Sequence, residues 1–449
     1  MNKKRWALVV LLGLVLFGYI KLFYKTYAVT AVAANADCIV ALDVKRITNT
    51  ILWNMITTPG QWKKISFSSG KKNEVSWKDM VKVPDYVLAF HVKEQPFNTW
   101  YLVLQVKDEN DFARGLQFYH FKQLDSNRYA GKDYPCSFFK QGDKILVTND
   151  TSENNTDLPL VANELFIQKK YIVDTILEKV IAAKSHVAVY FSANNFLQDA
   201  TVVSGNFDKT KIELSCALSP KKQFSFTENN CSYSSGSLCT LGFTQPSPSI
   251  FNLFSTADKD NISKALNLDI DSLFLQSNKY YHLDLAAIKP RIDSAITYSY
   301  DDDFNKVEKR VVNTVQEPAF NFTITGDSVA NIFSQWQHSK KLEPTDEGQL
   351  FTAMPFVKSY CKIKPATELN ITAANYEAAA TDKNTIAVFF LNILLGKIPG
   401  NLQKYLPDDI IHATANIESM QLKANKEKEQ LNITCLFQKK ANDLPVISW

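Results

Sequence analysis

The stretch that decides the fold is Cys38-Ile39-Val40-Ala41-Leu42-Asp43-Val44, a short apolar run that predicts a β-strand. A helical pattern follows it through Met55 and stops at Pro59-Gly60. The same order of strand and helix recurs along the chain. The further strands are His186–Ser192, Tyr280–Leu285 and Ile386–Leu391, and the helical segments predicted after them are Asn194–Val203, Ala286–Ile296 and a segment that ends near Leu406. This alternation predicts an α+β fold.

A longer correspondence links the two halves of the chain. The strand Trp100–Val106 passes into a helix that starts at Asp108, and the strand Phe320–Thr325 passes into a helix that starts at Asp327. Pairs of strands follow each helix: Tyr134–Phe139 with Lys144–Thr148 and Lys211–Leu218 with Gln223–Phe226, then Leu350–Phe356 with Lys358–Lys364 and Ala413–Lys423 with Gln430–Gln438. We therefore expect two similar lobes, each an antiparallel sheet with helices packed on one face, in which Cys38 corresponds to Tyr281.

The predicted first lobe covers residues 37–245, and the predicted second lobe covers residues 279–449. Between them, Gln245-Pro246-Ser247-Pro248-Ser249 is a chain breaker, and residues 246–278 predict a helical connector that is interrupted at Asp258–Asn261. Any α+β chain rich in Val, Ile and Phe contains pairs of strands and helices. The duplication is therefore supported by the order of the elements and not by their presence alone.

The N-terminus predicts a single transmembrane anchor. Residues 1–5 are a basic tip, and residues 6–24 form an apolar stretch close to the roughly 20 residues that a helix needs to cross a bilayer. The anchor residues include Trp6, Leu11, Leu16, Ile20 and Tyr24. The positive charges of Lys3, Lys4 and Arg5 favour a cytoplasmic N-terminus, so the region after a linker at residues 25–36 is expected to be exported.

The alternative is a signal peptide cleaved at Ala31-Val32-Ala33, where small residues flank the site. This site lies eleven residues after Ile20, with Lys21 and Lys25 in between. Signal peptidase normally cuts closer to the apolar core, which favours a retained anchor.

Charge argues against a nucleic-acid partner. The net charge of +4 comes from the anchor region, which contains five basic residues: Lys3, Lys4, Arg5, Lys21 and Lys25. The remainder of the chain is close to neutral. Nucleic-acid binding needs clustered Lys and Arg on one face.

This layout resembles uncharacterised, N-terminally membrane-anchored bacterial exported proteins with two repeated α+β halves. The resemblance covers most of the chain but contains no diagnostic motif, so it implies no active site. It implies a location in the cell envelope, with the C-terminal region on the periplasmic side of an inner membrane.

Local motifs for catalysis or cofactor binding are absent from the sequence, and we predict neither catalytic residues nor a cofactor. The strongest metal candidate is the acidic run with Asp301, Asp303 and Asn305, whose oxygens suit calcium. Its register does not fit an EF-hand, because Lys306 and Val312 occupy the positions of the required Gly and Glu. Strands Ala295–Tyr300 and Lys306–Val315 flank the run, which favours a solvated hairpin turn.

A basic and aromatic stretch follows the predicted first helix. It contains Trp53, Trp62, Lys63, Lys64 and Trp77. These residues predict a surface that contacts anionic lipid headgroups or an envelope glycan, and the alternative is core packing of the tryptophans among exposed lysines.

Cysteines and sequons carry less information. The seven cysteines are scattered, and buried free thiols are favoured over a Cys231–Cys239 disulfide. Seven Asn-x-Ser/Thr sequons, including those at Asn321 and Asn370, are interpreted first as an asparagine-rich composition.

These observations lead to three hypotheses. The first is a membrane-anchored envelope protein with a non-catalytic exported region that binds another envelope component, protein or lipid. The alternative is a carrier of lipid or another hydrophobic ligand in a cavity between sheets. The third is a hydrolase with an active site assembled from residues distant in sequence.

Overall fold

In the computed structural model, the structure describes residues 24–62, 75–152, 155–245, 255–266, 268, 279–300, 304–327, 329–354, 357–364, 367–378, 380–400, 411 and 415–441. The chain is mostly antiparallel sheet with some helices, as the predicted α+β class requires. It folds as two compact units that divide at Ser219 and Pro220.

The strands of the first unit are β1 Ala36–Asp43, β2 Val81–Lys82, β3 Tyr86–Val92, β4 Tyr101–Val106, β5 Phe121–Gln123, β6 Arg128–Gly131, β7 Ser137–Gln141, β8 Lys144–Thr148, β9 Val187–Phe191, β10 Thr201–Phe207 and β11 Lys211–Leu218. Its helices are α1 Val44–Thr57, α2 Pro59–Trp62, α3 Trp77–Met80, α4 Glu109–Phe118, α5 Asp157–Ala162 and α6 Asp174–Ala182, with a wide turn at Asn163–Ile167 after α5. All strand pairs are antiparallel, in the order β11–β10–β9–β1–β3–β4–β8–β7–β6–β5, and β2 pairs with the end of β4.

Helices cover both faces of this first sheet, whereas the sequence predicted helices on one face. Leu146 belongs to a core that α5 and α6 build with Leu158 and Leu177. Ile145, which precedes Leu146 in β8, belongs to a separate core with Phe112 of α4. Neighbouring residues in a strand point to opposite faces, so β8 contributes to two cores.

The strands of the second unit are β12 Asn229–Tyr233, β13 Cys239–Thr244, β14 Tyr280–Tyr300, β15 Lys306–Thr325, β16 Leu342–Thr345, β17 Gly348–Phe351, β18 Ser359–Lys364, β19 Glu368–Ala373, β20 Lys383–Ala387, β21 Phe389–Ile393, β22 Ile417–Glu427 and β23 Gln430–Lys439. Its helices are α7 Thr256–Leu266 and α8 Val329–His338, with a short 3-10 turn at Leu395–Lys397. The antiparallel order is β23–β22–β21–β13–β14–β15–β19–β18–β17–β16, and β12 and β20 form a separate ribbon.

The local prediction of a strand followed by a helix is confirmed at several places. Asp43 and Asp108 are the N-cap residues of α1 and α4, where each side chain accepts backbone N–H bonds. The predicted helix after Phe320–Thr325 is α8, which buries Val329, Ile332 and Trp336 on one face against the second sheet. The predicted hairpin of Lys306–Val315 is also confirmed, within the longer β14–β15 pair.

Two segments predicted as helices are not helical. Residues 286–296 continue β14, because the spacing of four between Ile292 and Ile296 fits a strand as well as a helix, and Pro290 disfavours a helix interior. Asn194–Val203 is interrupted by a turn in which the Asn194 side chain accepts from the N–H groups of Phe196 and Leu197. The β-branched run from Thr201 then enters β10.

The boundary between the predicted lobes also differs. Residues 229–244 were assigned to the first lobe, but β12 pairs with β20 and β13 pairs with β14 and β21, all in the second unit. The predicted partner of Lys211–Leu218 was Gln223–Phe226, and the observed partner is β10. In the connector, α7 runs through the predicted interruption because Asp258 and Ser255 cap each other's N–H groups.

Candidate functional site

The segment after the predicted anchor is integrated into the first unit, although residues 25–36 were predicted as a linker. Val32 and Ala33 are completely buried in the core of the first sheet. The backbone N–H of Ala34 donates to the carbonyl of Lys170, and the N–H of Ile172 donates to the carbonyl of Val32. These residues therefore contribute both apolar packing and backbone hydrogen bonds to the fold.

A buried ion pair fixes the start of this segment to helix α1. The Lys25 ammonium pairs with the Asp43 carboxylate, whose side chain is only 3% exposed. The same carboxylate caps α1 by accepting from the N–H of Arg46 at 2.8 Å. Burial, followed by the nearby Asp43, raises the pKa of Tyr86 to about 12, so its phenol stays protonated beside the carboxylate. We call Lys25, Asp43 and Tyr86 the clamp.

A second set of contacts holds the residues on either side of Lys25. Lys45 of α1 donates to the carbonyl oxygen of Tyr24 at 2.6 Å and pairs with Asp85 at 3.0 Å. Asp85 also accepts from the N–H of Thr26 at 2.8 Å. A cavity of about 570 Å³ opens beside the clamp, and its lining includes Arg46, Glu178 and Lys184. Ile181 and Ala182 line it as well, so its lining is both charged and apolar.

His186 lies behind the clamp and is held as a neutral ring. Its Nε2 is 2.7 Å from the Thr50 hydroxyl oxygen, and its Nδ1 accepts from the N–H of Phe207 at 3.3 Å. The side-chain oxygen of Asn206 lies 3.2 Å from the same Nδ1. Burial, followed by repulsion from Arg46, lowers the pKa of His186 below its ordinary value of 6.5.

We expect His186 to reduce stability in acid. Below pH 6.5 the unfolded chain takes up the proton first, so the free energy of unfolding falls as the pH decreases until folded His186 is also protonated. Replacing His186→Gln removes this contribution, and denaturant melts at several pH values should show a shallower slope below pH 6.5. A slope equal to that of the parent chain would contradict the assigned ring state.

Helix α1 has an exposed apolar surface. Leu52, Trp53 and Ile56 are 47%, 66% and 71% exposed. Leu52 and Ile56 are one turn apart, and Trp53 lies beside them on the helix. We call these three residues the ridge. Exposed tryptophan and branched aliphatic side chains in one place are typical of a contact surface.

The predicted contact residues are only partly brought together. Trp53 is exposed on the ridge, whereas Trp62 is buried at 7% exposure and therefore cannot serve as a surface contact. Trp77 stacks on Tyr119, with ring centroids 5.0 Å apart. Lys63 and Lys64 lie outside the described residues.

Other predicted sites fall largely outside the described part of the chain. Of the anchor residues, Trp6, Leu11, Leu16 and Ile20 are outside it, and Tyr24 is described and exposed. Among the residues that the structure describes, no helix has the length and apolar character to span a membrane.

Asp301 and Asp303 of the weak metal candidate also lie outside the described residues, while Asn305 lies inside them. Within the described ranges, no group of three or more His, Cys, Asp or Glu side chains is arranged to hold a metal ion. No disulfide joins any two of the seven cysteines.

The second unit contains a polar ladder that sequence reasoning missed. Asn321 and Thr323 of β15 lie opposite Thr372 and Asn370 of β19. The hydroxyl of Thr323 donates to the Asn370 side chain, and the hydroxyl of Thr372 donates to the Asn321 side chain, both at 2.7 Å. The sequence indicated this ladder through two Asn-x-Thr sequons within strands. Residues two positions apart in a strand point to the same face, so each Asn and its Thr share one face.

The same face of the second sheet carries buried polar atoms beside this ladder. Thr240 and Asp284 are paired across β13 and β14 and are 0% and 8% exposed. The Thr240 hydroxyl and one Asp284 oxygen have no hydrogen-bond partner within the described residues. Tyr376 donates to the other Asp284 oxygen at 2.7 Å. Buried groups of this kind normally require a partner such as water.

Comparison with known proteins does not identify a family. No protein-family model matches the chain. No curated protein has a matching sequence. A solved structure, crystal form I of TP0453, aligns over 55% of this chain and 87% of its own, with 11% sequence identity and a TM-score of 0.28. Similarity at this level supports no conclusion about fold or function.

Proposed function

We propose that this chain is a single-pass, membrane-anchored envelope protein with a non-catalytic exported region that binds another envelope component. Residues 6–24 would span the inner membrane with the N-terminus in the cytoplasm, and the two units would lie on the periplasmic side. The observation that carries the proposal is the burial of Val32 and Ala33 in the core of the first unit.

This burial is difficult to reconcile with a cleaved signal peptide. Cleavage after Ala33 would remove both buried residues from the core. It would also remove Lys25 from the Asp43 carboxylate, which is otherwise buried. Leaving one partner of a buried ion pair uncompensated is strongly destabilising. The folded protein therefore favours retention of the segment that precedes Ala34, and with it the predicted anchor.

We further propose that the two units are duplicated lobes. Support comes from their strand orders, which agree when β1 is matched to β13 and the following strands are matched in turn. In this match Cys38 corresponds to Cys239 and not to Tyr281, because these two cysteines lie opposite Phe191 and Ile393 in equivalent strands.

The helix after the third matched strand, β4 in the first unit and β15 in the second, supports the duplication independently. Helices α4 and α8 each contain ten residues. The residue two positions after each helix has a positive φ, 53° at His120 and 57° at Lys340. The N–H groups of these two residues donate to the carbonyls of Gln117 and Gln337. A positive φ is uncommon outside glycine, so its recurrence at matched positions favours a common origin.

Charged substitutions in the predicted span test the anchor. The double variant Leu11→Arg with Leu16→Arg should lose membrane retention, because each arginine at the centre of a span opposes insertion by about 2.5–3.5 kcal/mol. The measurement is the fraction of full-length chain that stays in membranes after an alkaline wash. The matched control, Leu11→Ile with Leu16→Ile, should behave like the parent chain. Equal retention of both variants would refute the anchor.

The carrier and hydrolase hypotheses stay predictions. In the second unit, a cavity of about 570 Å³ is lined by Val315, Leu350 and Met354 together with the charged Arg291 and Asp293. A carrier would need such an apolar lining around its ligand.

A further inference from the structure

Helix α1 is less buried than helices α4, α5 and α6 of the same unit. None of its residues is fully buried, and its more covered side carries the half-buried Ile47, Ile51 and Met55. Its other side carries the ridge of Leu52, Trp53 and Ile56. Both sides therefore carry apolar residues, and the ridge presents its apolar surface away from the core of the first unit.

The position of the ridge in the fold indicates what this environment is. Lys45, in the first turn of α1, contacts the carbonyl of Tyr24, the last residue of the predicted span. Trp53 lies eight residues after Lys45, which is about 12 Å along the axis of an α-helix. The ridge is thus held within a short distance of the point at which the chain would leave the bilayer.

The residues around this point have the chemistry of a membrane interface. Tyr24 is 63% exposed and Tyr27 is 36% exposed, and Lys45 and Arg46 lie between them and the ridge in the sequence. Aromatic rings prefer the headgroup region, and long basic side chains reach toward phosphate while their stems stay in apolar surroundings. Helices that expose apolar residues next to basic ones lie in the plane of the interface.

We propose that Leu52, Trp53 and Ile56 insert into the outer interface of the same bilayer that the anchor spans, so that the first unit rests on the membrane through α1. This inference depends on the proposed function and adds lipid as the component that the ridge binds. The lipid surface is favoured over a protein partner because the clamp holds the ridge beside the anchor, so the bilayer is always within reach.

A pair of matched cysteine variants tests the insertion in the full chain. Ile56→Cys places a label on the ridge. Ile167→Cys, at a residue that is 62% exposed, places one near the other end of β1, where Glu164 contacts Asn35. Each protein is labelled with a polarity-sensitive fluorophore and reconstituted into vesicles of phosphatidylcholine and phosphatidylglycerol. The native cysteines are buried or half-buried, and labelling of the parent chain supplies the background to subtract.

We expect the label at position 56 to shift to the blue and to gain at least about twofold in intensity in vesicles, as a group entering the apolar interface does. Lipids with a nitroxide near the headgroup should quench it more strongly than the label at position 167. Equal spectra and equal quenching at the two positions, in protein that floats with the vesicles, would overturn the inference and leave the anchor intact. Failure of the parent chain to float with the vesicles would instead refute the proposed function. Unchanged circular dichroism of both variants establishes that they are folded.

Discussion

Replacing Asp43→Ala is expected to lower the free energy of unfolding by about 3 kcal/mol, the lower end of the range for breaking a buried ion pair. The substitution leaves Lys25, with a side chain only 19% exposed, without its counter-charge. It also removes the N-cap of α1, which typically contributes about 1 kcal/mol on its own. Denaturant-induced unfolding followed by circular dichroism measures the change.

Two further variants separate the contributions of Asp43. Asp43→Asn keeps an oxygen for the N–H of Arg46 but removes the negative charge, so its loss of stability should be smaller than that of the alanine variant. Asp174→Ala removes an exposed carboxylate whose partner is the Tyr27 hydroxyl at 3.3 Å, and it should change the stability by no more than about 0.5 kcal/mol. Equal effects of Asp43→Ala and Asp174→Ala would show that the clamp does not stabilise the first unit.

Replacing Trp336→Ala should destabilise the second unit by about 3–5 kcal/mol, the range for removing a large buried aromatic side chain. Trp336 is 3% exposed and joins α8 to the sheet, where its ring lies 5.2 Å from that of Phe351. The variant loses the apolar contacts of the indole and leaves a cavity that helix and sheet cannot fully close. Hydrogen exchange of amides in β15 and β19 should accelerate together with those of α8.

The neighbouring residue supplies the control for this prediction. Gln337 is exposed on the same helix, and Gln337→Ala changes the side chain without opening the core. Its stability should stay within about 0.5 kcal/mol of the parent chain. A Trp336→Ala variant with the same stability as Gln337→Ala would mean that α8 does not depend on this contact.

Local features of the fold could be predicted from the sequence. The strand Tyr101–Val106, the N-cap Asp108 and helix α4 follow one another along the chain, and each depends on residues a few positions away. The hairpin of β14 and β15 and the apolar face of α8 were predictable for the same reason. In these elements periodicity and capping act within a single segment.

Features that depend on pairing could not be predicted. The assignment of β12 and β13 to the second unit rests on partners more than a hundred residues away, such as β20 and β21. The ion pair of Lys25 with Asp43 joins a segment expected to be a linker to a strand end. The hydrogen bonds between the Asn321 and Asn370 sequons depend on the register that pairs β15 with β19. A pattern within one segment specifies which face a side chain occupies but not what lies across from it.

The most direct test of the retained anchor is the intact mass of the protein purified from its native membranes. A retained anchor predicts a chain close to the full 50.8 kDa, with its N-terminal residues present and with all of it in the membrane fraction. A protein that begins at Ala34 and is recovered without detergent would contradict the anchor, the clamp and the placement of the ridge together.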